Sequence, residues 1–167
     1  YYMYGDITSN VSSRASIGDP AIGIDGTIYS SGSITYTSVH SSYPSQTHYG
    51  LSAINQDSTL RWRKEFGTNS LRSPNISSNG IIYIGSSDKL YAIRPNGSEQ
   101  WNTGSIFGGD VLDTAISLSG TIYAGCTDGK LYAINSGGTK DWDTGTIISD
   151  EITSSPSVGI NGNIYVG

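Results

Sequence analysis

Apolar residues alternate with polar or small residues in short runs along most of the chain. The segments Thr121–Gly125 and Lys130–Asn135 show the pattern clearly, and a period of two is typical of half-buried β-strands. Gly, Asn and Asp interrupt the runs every few residues, and glycine adopts tight-turn conformations at little steric cost. Residues that favour helices are scarce. The pattern predicts an all-β protein that is rich in turns.

Two sets of residues recur at fixed spacing and define a repeat. Four Gly-x-Ile-Tyr segments begin at Gly26, Gly80, Gly120 and Gly162, and the interval between the first two is the longest. Three alanines each precede a tryptophan by nine positions, in the pairs Ala53–Trp62, Ala92–Trp101 and Ala133–Trp142. Each pair is preceded by a leucine, at Leu51, Leu90 and Leu131. A period of roughly 40 residues with constant internal spacing marks a repeat architecture.

Each repeat is predicted to contain four short strands, A to D, joined by turns. In the third repeat these are 111–118, 121–125, 130–135 and 139–144. Four antiparallel strands per repeat are typical of a β-propeller blade. We therefore expect a single propeller domain, or a fragment of a larger one. Its blades are at about 17–66, 71–104 and 111–145, with a half blade at 152–167 and a D-type strand at 1–4.

The first repeat contains an insertion, Ser33–His48, between its strands B and C. The insertion is rich in Ser, Thr and Tyr and holds both histidines of the chain. It is either a long hairpin or an ordered surface loop, and such segments often carry function. The candidate recognition residues are Tyr36, His40, Tyr43 and His48. A metal site at the histidines is the less favoured interpretation, because no carboxylate lies beside them in sequence.

The repeat segments resemble the PQQ-like propeller repeats of the quinoprotein alcohol dehydrogenase superfamily. The resemblance rests on Ser73-Pro74 and Ser155-Pro156, on the Gly-x-Ile-Tyr segments, and on Leu-Tyr-Ala-Ile followed by Gly-x-x-x-Trp. The third repeat departs from it with Thr114-Ala115, and Ser52 replaces the strand-C tyrosine. The resemblance implies that a set of large residues packs between blades. This set is Trp62, Trp101, Trp142, Leu51, Leu90, Leu131, Tyr83, Tyr123 and Tyr165.

Charge and cysteine content narrow the function classes. Nine Lys and Arg against fourteen Asp and Glu give a formal charge of −5 without any basic block, so a nucleic-acid partner is not expected. Cys126 is the single cysteine, which excludes an intramolecular disulfide and a zinc site of paired cysteines. No apolar run reaches the roughly 18 residues of a membrane helix. Membrane insertion is therefore not expected.

The sequence assigns no catalytic, cofactor-binding or metal-ligating residues. The superfamily's dehydrogenases hold a quinone over calcium with Asp, Glu and Asn side chains, and the chain has no matching set. Acidic turn residues such as Asp25, Asp110, Asp113 and Asp128 could bind calcium, but Asp in a hairpin turn is the simpler interpretation. PQQ and calcium therefore stay possible but unfavoured cofactors.

We expect a non-catalytic binding or scaffolding propeller that is extracellular, cell-surface or periplasmic and contacts a protein partner. One alternative is the non-catalytic portion of a quinoprotein oxidoreductase. The other is a structural subunit that self-associates through open blade edges, because strand C of the last blade has no donor within the chain.

Overall fold

The computed structural model describes residues 18–37, 46–145 and 152–167 and the backbone of 10–12; at 36 and 37 it describes only the backbone. Regular structure in these residues is β-strand throughout. The strands are β1 (Asn10–Ser12), β2 (Ala21–Ile22), β3 (Ile28–Thr37), β4 (Gln46–Ile54), β5 (Leu60–Glu65), β6 (Asn75–Ile76), β7 (Ile82–Ser86), β8 (Lys89–Ile93), β9 (Glu99–Asn102), β10 (Val111–Ile116), β11 (Ile122–Cys126), β12 (Leu131–Ile134), β13 (Lys140–Asp143), β14 (Ser157–Val158) and β15 (Ile164–Tyr165).

Within the described residues the strands form four antiparallel sheets. Sheet 1 has the order β1-β3-β4-β5, with β2 also paired to β3; sheet 2 is β6-β7-β8-β9, sheet 3 is β10-β11-β12-β13, and sheet 4 is β14-β15. The predicted all-β class and four-stranded antiparallel repeat sheets are confirmed. The D-type strand predicted at 1–4 lies outside the described residues. The described part of the chain contains no helix that could cross a membrane.

Alternating side chains place the core between successive sheets. Tyr29, Leu51 and Ala53 of sheet 1 pack against Ile82, Ile84 and Ile93 of sheet 2. The equivalent residues of sheet 2 pack in the same way against sheet 3; they are Tyr83, Leu90 and Ala92, facing Ile122, Ala124, Tyr132 and Ile134. Sheet 2 is thus buried on both faces, because it covers sheet 1 and is covered by sheet 3.

An indole–glycine contact joins each of the first two sheets to the next one. The indole N–H of Trp62 donates to the Pro95 carbonyl at 2.8 Å, and the indole N–H of Trp101 donates to the Ser136 carbonyl at 3.0 Å. Both carbonyls belong to the turn between the third and fourth strands of the following sheet. In those turns a Cβ added at Gly97 would lie 2.9 Å from Trp62 Cδ2, and one at Gly138 would lie 2.7 Å from Trp101 Cδ2. Only glycine leaves room for the indole.

Among the described residues, the tryptophan of sheet 3 has no glycine turn to contact, and the corresponding turn of sheet 1 receives no indole. Trp142 is 43% exposed and packs on Tyr123 of its own sheet with ring centroids 5.9 Å apart. In sheet 1 the position equivalent to Gly97 and Gly138 is Ser58, which has a positive φ of 66°. Because Ser58 carries a Cβ at this position, its turn cannot take up an indole as the two glycine turns do.

Because neighbouring strands are antiparallel, the loops of each sheet lie at the two opposite ends of its strands. One end carries the connection between the second and third strands, and the first strand starts and the fourth strand ends there. We call this end of the sheet the hairpin edge. The turns that receive the indoles lie at the opposite edge, the turn edge. At the hairpin edge of sheet 1, β3 and β4 stay paired from Ile28↔Ile54 out to Tyr36↔Gln46. The inserted segment is therefore a long hairpin in its described part, and β1 adds to it by pairing with 35–37.

Replacing Trp101 by Ala should lower the free energy of unfolding by about 3 kcal/mol, because the change empties the space beside Gly138 and removes a hydrogen bond. Trp142→Ala is the matched control, since that indole is half exposed and has no acceptor in the described residues; it should cost less than half as much. Urea unfolding followed by circular dichroism measures both. Equal losses in the two variants would contradict an interlocking role for Trp101.

Candidate functional site

A cavity of about 170 Å³ opens at the hairpin edge between sheets 1 and 2. Its lining comes from three repeats: Gly18, which precedes β2, with Ser31, Gly32 and Tyr49 of sheet 1; Leu71, Arg72 and Ser73, which precede β6; and Asp113 of sheet 3. The cavity lies at the base of the long hairpin, since Gly32 and Tyr49 belong to β3 and β4. Its lining is mainly polar and contains one cation and one anion.

Close backbone approach at Gly18 shapes one wall of the cavity. The Gly18 N–H donates to the Ser31 carbonyl at 3.2 Å. A Cβ added at Gly18 would lie 2.4 Å from Ser31 Oγ and 3.4 Å from Ser73 Oγ. A larger residue would therefore displace Ser31 and narrow the space between the two serine hydroxyls.

A β-bulge in β10 positions Asp113. The register between β10 and β11 shifts between Val111 and Thr114, so one extra residue is accommodated there. Asp113 Oδ1 accepts the backbone N–H of Ser73 at 2.7 Å, and Oδ2 accepts the hydroxyl of Ser155 at 3.1 Å. The Asp113 carboxylate thus ties the starts of sheets 2 and 4 to sheet 3. Each of its oxygens keeps a further acceptor position.

Arg72 supplies the positive charge of the cavity. Its backbone N–H donates to the Gly85 carbonyl at 3.0 Å, and its Nε donates to the Val111 carbonyl at 3.3 Å. The two terminal nitrogens of the guanidinium have no acceptor among the described residues, and no ion pair within 4.0 Å joins Arg72 to Asp113 there. The cavity therefore holds two opposite charges that are not paired with each other.

The hairpin above the cavity carries the candidate recognition residues. Tyr36 lies in β3 opposite Gln46, and His48 lies in β4 opposite Ile34. His48 is half-buried, with Nε2 3.5 Å from Gln46 Oε1. His40 and Tyr43 lie outside the described residues. The structure thus places Tyr36 and His48 on the two strands of one hairpin, two register positions apart.

The residues predicted to pack between repeats occupy three kinds of environment. Leu51, Leu90, Leu131 and Tyr83 are buried, and Trp62, Trp101 and Tyr123 are half-buried. Trp142 and Tyr165 are 43% and 58% exposed. The exposed pair belongs to sheets 3 and 4, where no following turn covers them in the described part of the chain.

The carboxylates of Asp25, Asp113 and Asp128, which were considered as calcium ligands, are engaged in hydrogen bonds within the protein, and Asp113 lies in β10 and not in a turn. Asp25 accepts the Thr27 N–H at 3.0 Å, which lowers the pKa of its carboxyl, and it pairs with Arg61 at 3.1 Å. Burial raises the pKa of Asp128, but the Tyr132 hydroxyl, which donates to Oδ2 at 2.6 Å, and further hydrogen bonds hold it below its usual value. Among the described residues no three His, Cys, Asp or Glu side chains are grouped to hold a metal ion.

Cys126 lies at the end of β11 and is fully buried. Burial raises the pKa of its thiol to about 11. At neutral pH the thiol is therefore protonated and is a poor nucleophile. Its contacts place it in the core between sheets 2 and 3.

Arg72 was not among the residues singled out from the sequence, and Asp113 was considered there only as an acidic turn residue that could bind calcium. The register shows that Asp113-Thr114, not Thr114-Ala115, corresponds to Ser73-Pro74, because Ala115 pairs with Tyr123 as Asn75 pairs with Tyr83. The bulge lies between Val111 and Thr114, so it does not change the spacing from Thr114 to Gly120. Counting back six positions from the Gly of each Gly-x-Ile-Tyr segment would have aligned Thr114 with the prolines and brought Asp113 into register.

The Cys126 thiol should react with a disulfide reagent at neutral pH only when the protein unfolds, because it is buried and protonated. Labelling with an aromatic disulfide in native buffer and in urea measures this, with free glutathione as the reactive control. Rapid labelling of the native protein at the glutathione rate would show instead an exposed or activated thiol.

No protein-family model matches the sequence, and no curated protein is similar to it. Similar solved structures include a protein of unknown function from Bacteroides caccae, with a TM-score of 0.60, 13% identity and coverage of 91% of this chain and 56% of that one. They also include catalytically inactive virginiamycin B lyase from Staphylococcus aureus with quinupristin, with a TM-score of 0.70, 12% identity and coverage of 96% and 52%. The chain thus spans about half the length of these structures. At such identities the likeness shows the fold alone, a propeller-like arrangement of antiparallel sheets.

Proposed function

We propose that the chain is a non-catalytic binding or scaffolding module built from β-propeller blades with PQQ-like repeats. In this proposal sheets 1 to 3 are complete blades and sheet 4 is the first half of another. Its partner is a protein, and its place is the cell surface, the periplasm or the extracellular space. The long hairpin of sheet 1 makes the contact.

The observation that carries the proposal is the difference between the hairpin of sheet 1 and that of sheet 2. The second and third strands of sheet 1, β3 and β4, span ten and nine residues, whereas β7 and β8 of sheet 2 span five each. The core positions of the two sheets are otherwise equivalent, so the extension is not needed to bury the core. Ordered extensions on a rigid scaffold are common recognition elements.

The extended part of β4 also has a free edge in the described structure. Tyr49 uses its N–H and carbonyl to bond Gly67 and Phe66, on the side away from β3. Backbone groups two residues apart in a strand point the same way, so those of Thr47 face that side too. No described strand pairs with Thr47 there. A partner segment in extended conformation could pair with this edge, as in β-strand addition.

The size of the cavity agrees with a module that binds partners rather than a large cofactor. Small-molecule sites usually enclose roughly 300 to 1,000 Å³, and the cavity has about 170 Å³. The lyase likeness adds no activity to this chain, because it is a likeness of fold at 12% identity.

Replacing 35–47 with Asn-Gly, which joins the hydrogen-bonded pair Ile34 and His48 by a two-residue turn, should leave the fold intact within about 1 kcal/mol. The same change should abolish capture of a protein partner from the source organism's extract. Thr47→Pro should also weaken capture without unfolding, because it removes an N–H that no described strand uses. The partner is then purified and its binding to the parent protein and both variants is measured.

Two results would contradict the proposal. If the shortened variant unfolds, the hairpin is part of the scaffold and not a recognition element. If the purified native protein shows quinone absorbance and oxidises alcohols with calcium present, the module is catalytic.

A further inference from the structure

The cavity at the base of the hairpin contains an unexplained pair of charges. Arg72 and Asp113 both line it, and neither neutralises the other through an ion pair in the described structure. Asp113 has a structural role, since it holds Ser73 and Ser155. The terminal nitrogens of Arg72 have no such role among the described residues.

The two charges differ in the groups they can still bind. A guanidinium presents its terminal N–H groups as a planar fork that matches a carboxylate with two parallel hydrogen bonds. The carboxylate of Asp113 can accept further N–H donors beside the Ser73 N–H and the Ser155 hydroxyl. A ligand with a single negative charge would gain from Arg72 and be repelled by Asp113. A ligand with a single positive charge would meet the opposite conflict.

A ligand that carries both charges a few ångströms apart avoids this conflict. The volume of about 170 Å³ is several times the roughly 30 Å³ that one water molecule occupies in the liquid, so the cavity admits a small solute. The hydroxyls of Ser31, Ser73 and Tyr49 belong to lining residues and can donate to or accept from such a solute.

We propose that this cavity binds a small α-amino acid zwitterion, such as glycine, alanine or serine. The carboxylate lies on the terminal nitrogens of Arg72, and the ammonium group donates to Asp113. Gly18 and Gly32 keep the space free of side chains. The site is independent of the partner-binding role of the hairpin, although the two adjoin at Gly32 and Tyr49.

The proposal is tested by titrating the isotopically labelled full chain with L-alanine and following backbone amide shifts by NMR. The expected result is saturable shifts at Gly18, Gly32 and Ser73, with a dissociation constant on the order of millimolar. Propionate and ethylammonium each carry only one of the two charges. Each should bind at least about tenfold more weakly than L-alanine.

Three variants separate recognition from folding. Arg72→Gln and Asp113→Asn should each weaken L-alanine binding by about tenfold or more, and Asp113→Asn keeps an acceptor for the Ser73 N–H. Arg72→Lys keeps the charge but loses the fork, and it replaces Arg72→Gln if that variant unfolds. Arg94→Gln is the control, because Arg94 lies at the turn edge and donates to the Glu99 carbonyl at 2.8 Å. It should bind L-alanine as the parent does.

The proposal fails if no saturable shift occurs up to the solubility of L-alanine. That result would show that the cavity holds water and does not bind amino acids. It also fails if propionate binds as tightly as L-alanine, or if Asp113→Asn strengthens L-alanine binding. Either of these results would show a simple anion site at Arg72.

Discussion

The contact between a tryptophan of one sheet and a glycine turn of the next is the constraint on which the arrangement of sheets depends. Apolar packing between sheets is non-directional and would tolerate sliding or rotation. The indole contact is directional, because Trp62 and Trp101 each donate one hydrogen bond to one carbonyl and lie against one glycine. These two equivalent contacts, one in each of two successive repeats, therefore give the sheets they join the same relative placement.

This placement brings residues from three sheets to one edge. The two contacts fix sheet 1 to sheet 2 and sheet 2 to sheet 3 at the turn edge, and the starts of β6 and β10 lie side by side at the hairpin edge. There the bulge of β10 lets Asp113 reach Ser73 and Ser155. The cavity and the base of the long hairpin share that edge. The partner-binding and ligand-binding proposals thus both depend on a scaffold that is held together by indole–glycine contacts at the opposite end of the sheets.

The features that recur in every repeat could be predicted from the sequence. The spacing from Ala to Trp and the Gly-x-Ile-Tyr segments predicted four strands per repeat, because each strand has a local apolar alternation that its own residues determine. The insertion was recognised as an interruption of this regularity. Its two histidines drew attention only by residue type, and of these the described structure includes His48 alone.

Features that break the repeat could not be predicted. Arg72 and Asp113 come from different repeats, and although the spacing from Gly120 gives Asp113 the position of Ser73, no sequence signal indicates that both residues line one cavity. Ser58 occupies the position of Gly97 and Gly138 in the turn of sheet 1. The effect of its side chain could be inferred only after the structure had shown an indole against each of those glycines. The exposure of Trp142 likewise depends on the segments that lie near it in space, whereas its sequence spacing is the same as that of Trp101.

Comparing two glycine substitutions measures the indole–glycine contact most directly. Gly138 and Gly120 have nearly the same positive φ, 87° and 86°, but only Gly138 faces an indole, and nothing lies within 4 Å of a Cβ at Gly120. Gly120→Ala should lower the free energy of unfolding by about 1 kcal/mol, from backbone strain alone. Gly138→Ala should cost about 1 to 3 kcal/mol more, because Trp101 must move. Equal costs would show that the contact does not hold the sheets together.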